Sequence, residues 1–296
     1  MGLVVRFGMA NPEVSVGIIS FNQREFLREC IESCLEQDFD SFEIVVADDA
    51  STDGSQELLK QFCKSHPGKV RAVLQSVNKG ITANSNDLLR ACRGKYVAFM
   101  GGDDLMIQGK LSSQFEFMEE NSGCAICYHD LDVFDSESGA SLYRFNANSA
   151  PEGKIAVSIR EGCFNGACST FVRVSAMPPE GFDERIPVAS DWLFWVDTLS
   201  SGGEIRFLPK VLGRYRRHGS NVTASPKLPA RAFNQAVLDH LVSCQIILQK
   251  YPQHSSFTIY RYLRILFSAL GAHALSRAVG VTIVRGVLAL TRKLLG

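Results

Sequence analysis

The strongest constraint on the fold is an alternation of apolar, strand-like runs with amphipathic, helix-like segments between residues 14 and 128. The strand-like runs are short and rich in Val, Ile and Ala, whereas the helix-like segments repeat their apolar residues every three or four positions. This alternation is typical of a parallel sheet covered by helices. It predicts strands at 14–19, 43–47, 70–74, 96–100 and 125–128, and helices at 24–37, 55–63, 83–91 and 110–120. We therefore expect an α/β fold, Rossmann-like, with a mostly parallel sheet flanked by helices.

The pattern is less regular after residue 130. Residues 130–160 are rich in Ser, Asn, Gly and Glu, which indicates irregular or hairpin structure over the sheet. An aromatic helix begins at Asp191, and strands are expected at 205–208 and 211–215. After Pro226 and Pro229 the pattern is wholly helical. The predicted organisation is a catalytic domain over residues 1–224 followed by an α-helical C-terminal extension over residues 225–296.

Charge and cysteine content limit the partners and the compartment. The formal net charge is zero, but residues 240–296 hold seven Lys or Arg and no Asp or Glu. The preceding part of the chain is therefore mildly acidic, and we expect no nucleic acid to bind there. The nine cysteines are odd in number and scattered through apolar segments, and no signal-peptide pattern opens the sequence. We expect a cytoplasmic protein with reduced cysteines and no membrane-spanning helix.

Polar residues collect where three predicted strands end. They are Ser20-Phe21-Asn22, Asp48-Asp49 and Gly102-Asp103-Asp104. In an open parallel sheet, ligands bind at the carboxyl ends of the strands. A turn followed by a helix N-cap explains the residue types at 51–55. It does not explain the adjacent carboxylates, which repel each other and gain nothing without a cation. A divalent ion such as Mn²⁺ or Mg²⁺, which prefers carboxylate and phosphate oxygens, would reverse that repulsion and let a diphosphate bind.

These residues resemble a known family. The segment VSVGIISFNQ, the loop DDASTDGS, the GGDD sequence, Gly181-Phe-Asp-Glu followed by Asp191, and the sequence YRRH from Tyr215 are similar to the motifs of family 2 (GT2) glycosyltransferases. The resemblance covers about residues 12–224 and implies a GT-A fold that binds a nucleotide-sugar donor. One departure is Ser85, which lies where family members often carry Arg. Another is Ser190-Asp191, in place of an E-D pair.

The resemblance also implies roles for individual residues. Those expected to contact the nucleotide are Ser20, Phe21, Asp48, Asp49, Asn78 and Asp103, and the expected contacts to a divalent metal are Asp104 and His218. Asp191 is the expected catalytic base, although Ser190-Asp191 also suits a helix N-cap. Trp192 is expected to stack on an acceptor sugar, although aromatic residues at this spacing are more often part of a core.

The predicted function is a metal-dependent, inverting transfer of a sugar from a nucleoside-diphosphate donor, a UDP or dTDP sugar being favoured, to a hydroxyl of a glycan or lipid-linked saccharide. A sugar-phosphate nucleotidyltransferase is an alternative, but it would be expected to carry a basic glycine-rich loop after the first strand, and Ser-Phe-Asn stands there. A non-catalytic nucleotide- or glycan-binding module is a second alternative, in which the acidic pairs are inert.

The basic end of the sequence leaves two interpretations open. Over residues 277–295, apolar residues recur every three or four positions, and Arg277, Arg285, Arg292 and Lys293 fall on the other side. Such a helix could lie on an anionic membrane surface, which would make the protein peripheral on the inner face of the cytoplasmic membrane. It could equally pack on its own domain with a solvated basic face.

Overall fold

The computed structural model describes residues 11–219, residue 221 and residues 230–269. Within them, nine strands form one sheet and eight α-helices surround it. The strands are β1 Val14–Ser20, β2 Phe42–Asp48, β3 Val70–Leu74, β4 Tyr96–Gly101, β5 Leu105–Met106, β6 Cys124–Asp135, β7 Ser141–Arg144, β8 Phe171–Arg173 and β9 Glu204–Arg217. The α-helices are α1 Arg24–Leu35, α2 Ser55–Ser65, α3 Ile81–Ala91, α4 Lys110–Glu120, α5 Ile155–Glu161, α6 Asp191–Leu199, α7 Ala230–Lys250 and α8 Ser255–Ala269.

The first four strands build the parallel half of the sheet. The strand order is β3-β2-β1-β4-β8-β6-β9-β5, with β7 paired to β6. β1 is parallel to both β2 and β4, with Val14 opposite Phe42 on one side and Tyr96 on the other. β1 and β2 are almost wholly buried because helices cover both faces, which is why they read as continuous apolar runs. The carboxyl ends of β1, β2 and β4 therefore meet at one edge of the sheet.

The second half of the sheet contains both parallel and antiparallel pairs, and the prediction of two separate strands at 205–208 and 211–215 was wrong. The short strand β8 is antiparallel to its neighbours β4 and β6. The expected strands 205–208 and 211–215 are one strand, β9, which pairs in parallel with β6 and shifts register near Pro209. Strand β6 continues to Asp135 and turns back into β7, so part of the region 130–160 is a hairpin, as the composition indicated.

Helices α7 and α8 pack against the preceding part of the chain. Their buried apolar residues share one cluster with α5 and α6, which contains Ile159, Trp192, Cys244, Ile247 and Ile265. No helix of the described residues combines the length and the apolar character that crossing a membrane requires. The predicted basic helix at 277–295 lies outside the described residues.

Candidate active site

Two interlocked loops form the floor of the site at the ends of β1 and β2. Asn22 and Ala50 adopt left-handed backbone conformations, with φ of 51° and 62°, which is uncommon for residues other than glycine and is often found at functional sites. The backbone N–H of Asn22 donates to Ser51 Oγ at 2.8 Å, and Asn22 Oδ1 accepts the N–H of Thr52 at 2.8 Å. These reciprocal hydrogen bonds fix the two loops against each other.

The adjacent carboxylates Asp48 and Asp49 point in different directions. Asp48 is fully buried and accepts hydrogen bonds from the N–H and hydroxyl of Ser51 and from Gln56. Asp49 reaches the next loop, where its two oxygens accept the N–H groups of Lys79 and Gly80 at 2.7 and 2.9 Å. Asp48 therefore shapes its own loop, and Asp49 ties β2 to the start of α3.

Three of the predicted nucleotide contacts surround Asp49. Phe21 is 47% exposed and follows β1, so its ring is available to a ligand. The hydroxyl of Ser20 is buried and has no hydrogen-bond partner among the described residues. The Asn78 amide donates to the carbonyl of Asp49 at 3.2 Å. An aromatic ring, a hydroxyl without a partner among the described residues and a carboxylate thus lie at neighbouring strand ends.

The end of β4 places Asp103 and Asp104 in contrasting environments. A Cβ on Gly102 would lie 3.0 Å from the carbonyl oxygen of Ile19, so glycine allows the end of β4 to come close to β1. Asp103 is partly exposed, and its Oδ2 lies 2.9 Å from His218 Nε2 and 3.1 Å from the Asn221 amide nitrogen. Asp104 is 3% exposed and accepts the N–H of Arg216 at 2.9 Å. Burial and the neighbouring charge of Asp103 raise the pKa of Asp104 well above its ordinary value.

Arg216 is a site residue that the sequence analysis did not single out. Its Nε donates to the carbonyl of Asp103 at 2.7 Å, and an Nη pairs with Glu29 at 2.5 Å. Its guanidinium lies over the rings of Phe26 and Phe134. Arg216, in β9, therefore connects the acidic loop, which holds Asp103 and Asp104, to α1. The sequence signal that could have identified Arg216 is its position inside YRRH, two residues before His218.

The base candidate Asp191 is the first residue of α6 and is half-buried. Its Oδ1 accepts the N–H of Trp192 at 2.8 Å, and its Oδ2 lies 3.3 Å from the thiol of Cys163. Trp192 itself is fully buried, and its indole N–H donates to the carbonyl of Ser158 at 2.8 Å. The predicted sugar-stacking role of Trp192 is therefore corrected, because a fully buried ring has no face to offer an acceptor.

Two neighbouring elements contact the start of α6 at Ser190-Asp191. The hydroxyl of Thr82, at the start of α3, lies 2.9 Å from the hydroxyl of Ser190. On the other side, the segment 163–168 runs from the Cys163 thiol beside Asp191 to the buried Cys168, which lies near Asp104. Five residues span at most about 17 Å when extended, so the segment 163–168 keeps Cys163 and Cys168 within that distance of each other.

A divalent cation fits the donor types at Asp103 and His218. Among the described residues, no group of three or more His, Cys, Asp or Glu side chains is arranged to hold a metal. However, the 2.9 Å between Asp103 Oδ2 and His218 Nε2 is close to the separation of two adjacent ligands about 2.1 Å from an octahedral ion. Diphosphate oxygens and water would complete such a coordination shell, as is usual for Mg²⁺-type sites.

Sequence relatives point to one enzyme family. A family model described as glycosyl transferase family 2 matches residues 15–174. An uncharacterized protein of Mycobacterium bovis is 30% identical over 222 residues, which cover 74% of this chain and 63% of that protein. This chain therefore spans less than two thirds of that relative's length. A putative teichuronic acid biosynthesis glycosyltransferase of Bacillus subtilis, TuaG, is 28% identical over 72% of this chain and 82% of its own.

Solved structures share the fold. S. aureus TarS 1-349 in complex with UDP-GlcNAc has a TM-score of 0.68 and 18% identity, over 91% of this chain and 77% of that one. A mannosyltransferase of Pyrobaculum calidifontis in complex with GDP-Man and Mn²⁺ has a TM-score of 0.63 and 17% identity, over 97% and 81% of the two chains. These likenesses confirm the GT-A fold predicted from the sequence. With a family model matched over more than half of its residues, the chain belongs to glycosyl transferase family 2.

Proposed function

We propose that this protein transfers a sugar from a nucleoside-diphosphate donor to an acceptor hydroxyl, with a divalent metal and with inversion at the sugar carbon. The observation that carries the proposal is the pairing of Asp103 with His218 at 2.9 Å, at the edge where β1, β2 and β4 end. A carboxylate and an imidazole at this edge suit a diphosphate held through a cation.

The nucleotide is proposed to bind over the ends of β1 and β2. The exposed ring of Phe21 offers a stacking face, and the hydroxyl of Ser20 lacks a partner among the described residues. Each oxygen of Asp49 accepts one backbone N–H and retains a lone pair, so the carboxylate can also accept the imide N–H of a uracil or thymine. This favours a UDP or dTDP sugar as donor, with Asn78, whose amide donates to the carbonyl of Asp49, as a further proposed contact.

The metal is proposed to bind Asp103 and His218, with Mn²⁺ or Mg²⁺ as the ion. This proposal changes the assignment expected from the sequence, which gave the metal to Asp104 and the nucleotide to Asp103. The reason is that Asp104 is buried beneath the loop and accepts the N–H of Arg216, whereas Asp103 is partly exposed. When bound, the ion would neutralise the charge that develops on the leaving diphosphate.

Asp191 is proposed to remove the proton of the acceptor hydroxyl as the sugar carbon develops positive charge. It is half-buried at the start of α6, and its Oδ2 contacts only the Cys163 thiol among the hydrogen bonds of the described residues. A weak sulfur donor is easily displaced by an acceptor hydroxyl. A single carboxylate base on the acceptor side is the arrangement that inverting transfer requires.

The acceptor is proposed to be a glycan or a lipid-linked saccharide of a cell-surface polymer. This rests on relatives whose names refer to polysaccharides, the teichuronic acid enzyme and a chondroitin synthase of Escherichia coli. A lipid-linked acceptor would place the enzyme at the cytoplasmic membrane surface, and the basic pattern at 277–295 is proposed to provide that contact.

The test is a hydrolysis screen of nucleotide sugars, with water in place of the unknown acceptor. UDP, dTDP and GDP sugars are incubated with the full chain, with Mn²⁺ and with EDTA. We expect slow, Mn²⁺-dependent release of the nucleoside diphosphate from a UDP or dTDP sugar, and its loss in Asp191→Asn with nucleotide binding kept. Release of a nucleoside monophosphate, or equal activity in EDTA, would contradict the proposal.

A further inference from the structure

Helix α7 contacts the residues that lead into Asp191, and α8 contacts the turn that precedes Cys163, although both helices lie beyond the residues matched by the family model. Asp239 of α7 is 2% exposed, and its Oδ2 accepts the N–H groups of Val188 and Ala189, each at 2.9 Å. These two residues immediately precede Ser190-Asp191. The turn that sets the start of α6 is therefore fixed by a buried carboxylate from the C-terminal helices.

Arg261 of α8 contacts the turn on the other side of the Asp191 carboxylate. Its Nη1 donates to the carbonyl of Glu161 at 3.0 Å. A Cβ on Gly162 would lie 2.1 Å from Nη2, so the guanidinium packs directly against this glycine, which has φ of +77°. The next residue, Cys163, places its thiol 3.3 Å from Asp191 Oδ2. Arg261 thus fixes the turn 161–163 that contacts Asp191.

His240 of α7 follows Asp239 and packs against Trp192, the residue after Asp191. Its ring meets the Trp192 ring edge-on with centroids 5.8 Å apart, and the Arg261 guanidinium lies 5.5 Å from the centroid of the same indole. The charged groups that face His240 are Asp191 from α6, Arg261 from α8 and Asp239 from α7. Burial lowers the pKa of His240; Asp191 and Asp239 oppose that effect, and Arg261 adds to it.

We propose that the helix pair α7–α8 is part of the active site, with Arg261 and His240 as positioning residues for Asp191. The proposal rests on the proposed function, because it takes Asp191 as the base. Arg261 holds the turn 161–163 in place, and burial together with the positive charge of Arg261 favours the neutral form of His240. A neutral His240 leaves the Asp191 carboxylate free to accept a proton, whereas a protonated His240 beside it would stabilise the carboxylate and make it a weaker base.

Two predictions about pH dependence follow. Replacing Arg261 by Gln removes a positive charge from His240, so its imidazole should protonate at a higher pH than in the wild type. The acid limb of activity should then move to higher pH. Replacing His240 by Gln removes the group that protonates, so the double variant Arg261→Gln, His240→Gln should show no such movement. A role in folding alone would not produce a shift that disappears when His240 is also replaced.

The direct test is an NMR titration of the histidine rings in the full chain, which needs neither donor nor acceptor. The His240 signal is assigned by its loss in His240→Gln. We expect the pKa of His240 to rise in Arg261→Gln and to fall in Asp191→Asn. The matched control is Arg264→Gln, an exposed arginine one turn further along α8, which should leave the pKa unchanged. An unchanged His240 titration in either Arg261→Gln or Asp191→Asn would overturn the proposal.

The activity test uses the nucleotide sugar that the hydrolysis screen identifies. In Arg261→Gln, hydrolysis at the optimum should fall about tenfold or more because the base is misplaced, with UDP affinity unchanged. If Asp191→Asn keeps full hydrolysis, the base assignment in the proposed function fails, whatever Arg261 does. If Asp191→Asn is inactive and Arg261→Gln keeps the wild-type rate and pH profile, only the role of the helix pair is refuted.

Discussion

Substituting Asp49 by Asn should weaken both the fold and the proposed nucleotide site, because the same carboxylate oxygens accept two backbone N–H groups and are proposed to accept the base. It is 4% exposed and accepts the N–H groups of Lys79 and Gly80 at 2.7 and 2.9 Å. Asparagine has one oxygen, so it keeps one of these bonds and turns an NH₂ group toward the other N–H.

The cost can be worked out from those two bonds. A hydrogen bond to a charged group contributes about 1.5–3 kcal/mol, and a buried N–H left without an acceptor costs a similar amount. The bond that remains becomes a neutral one. We therefore expect the free energy of unfolding to fall by about 2–4 kcal/mol in Asp49→Asn. For a chain of this size the melting temperature should fall by about 3–6 °C, because the entropy of unfolding grows with chain length.

Thermal unfolding followed by circular dichroism measures this effect, with Asp38→Asn as the control. Asp38 is exposed and accepts only a 3.2 Å bond from the Ser112 hydroxyl among the described residues, so its variant should melt like the wild type. UDP binding should weaken in Asp49→Asn and not in Asp38→Asn. A melting temperature of Asp49→Asn equal to that of the control would refute the reasoning about its backbone partners.

Three further predictions concern other carboxylates and the buried indole. Burial would raise the pKa of Glu43, but hydrogen bonds from Arg93, Arg71 and Ser15 outweigh it and hold the pKa below its ordinary value. The stability that Glu43 contributes is thus present above pH ~4.3 and is lost as the pH falls through the lower folded-state pKa. Chemical denaturation at pH 7 and at pH 3.5 measures this. The free energy of unfolding should change less between the two pH values in Glu43→Gln than in the wild type. Asp104→Asn should keep Mn²⁺-dependent nucleotide binding, since the amide can still accept the backbone N–H that Asp104 binds; loss of binding measured by calorimetry would restore Asp104 as the metal ligand. Trp192→Phe should lower the free energy of unfolding by about 1–3 kcal/mol through loss of a buried hydrogen bond, with the KM for any acceptor unchanged.

The parallel half of the fold was predictable from the sequence because its signals are local. The strand at 70–74 and the helices beginning at Arg24, Ser55, Lys110 and Asp191 start where the apolar periodicity starts. β9 was predicted as two strands because Pro209 and Lys210 interrupt the pattern. The continuous pairing with β6 across that interruption depends on a register shift, which is a tertiary property and leaves no periodic signal.

The candidate site was predictable to the level of the loops but not of the individual oxygens. Asp103 and Asp104 are adjacent on a turn, where no side-chain periodicity indicates which one faces the cleft. The partners that decide it, the N–H of Arg216 and the imidazole of His218, are more than one hundred residues away. His240 and Arg261 were missed for the same reason, because only the packing of α7 and α8 brings them to Asp191.

Isothermal titration of UDP into the full chain, with and without Mn²⁺, tests the central claim that a metal held by Asp103 and His218 binds the diphosphate. The account predicts tight binding with Mn²⁺ and a Kd at least about tenfold weaker in EDTA, which corresponds to about 1.4 kcal/mol. Asp103→Ala should bind UDP equally weakly with and without Mn²⁺. UDP affinity that is the same in EDTA as in Mn²⁺, or a Mn²⁺ dependence that survives in Asp103→Ala, would contradict it.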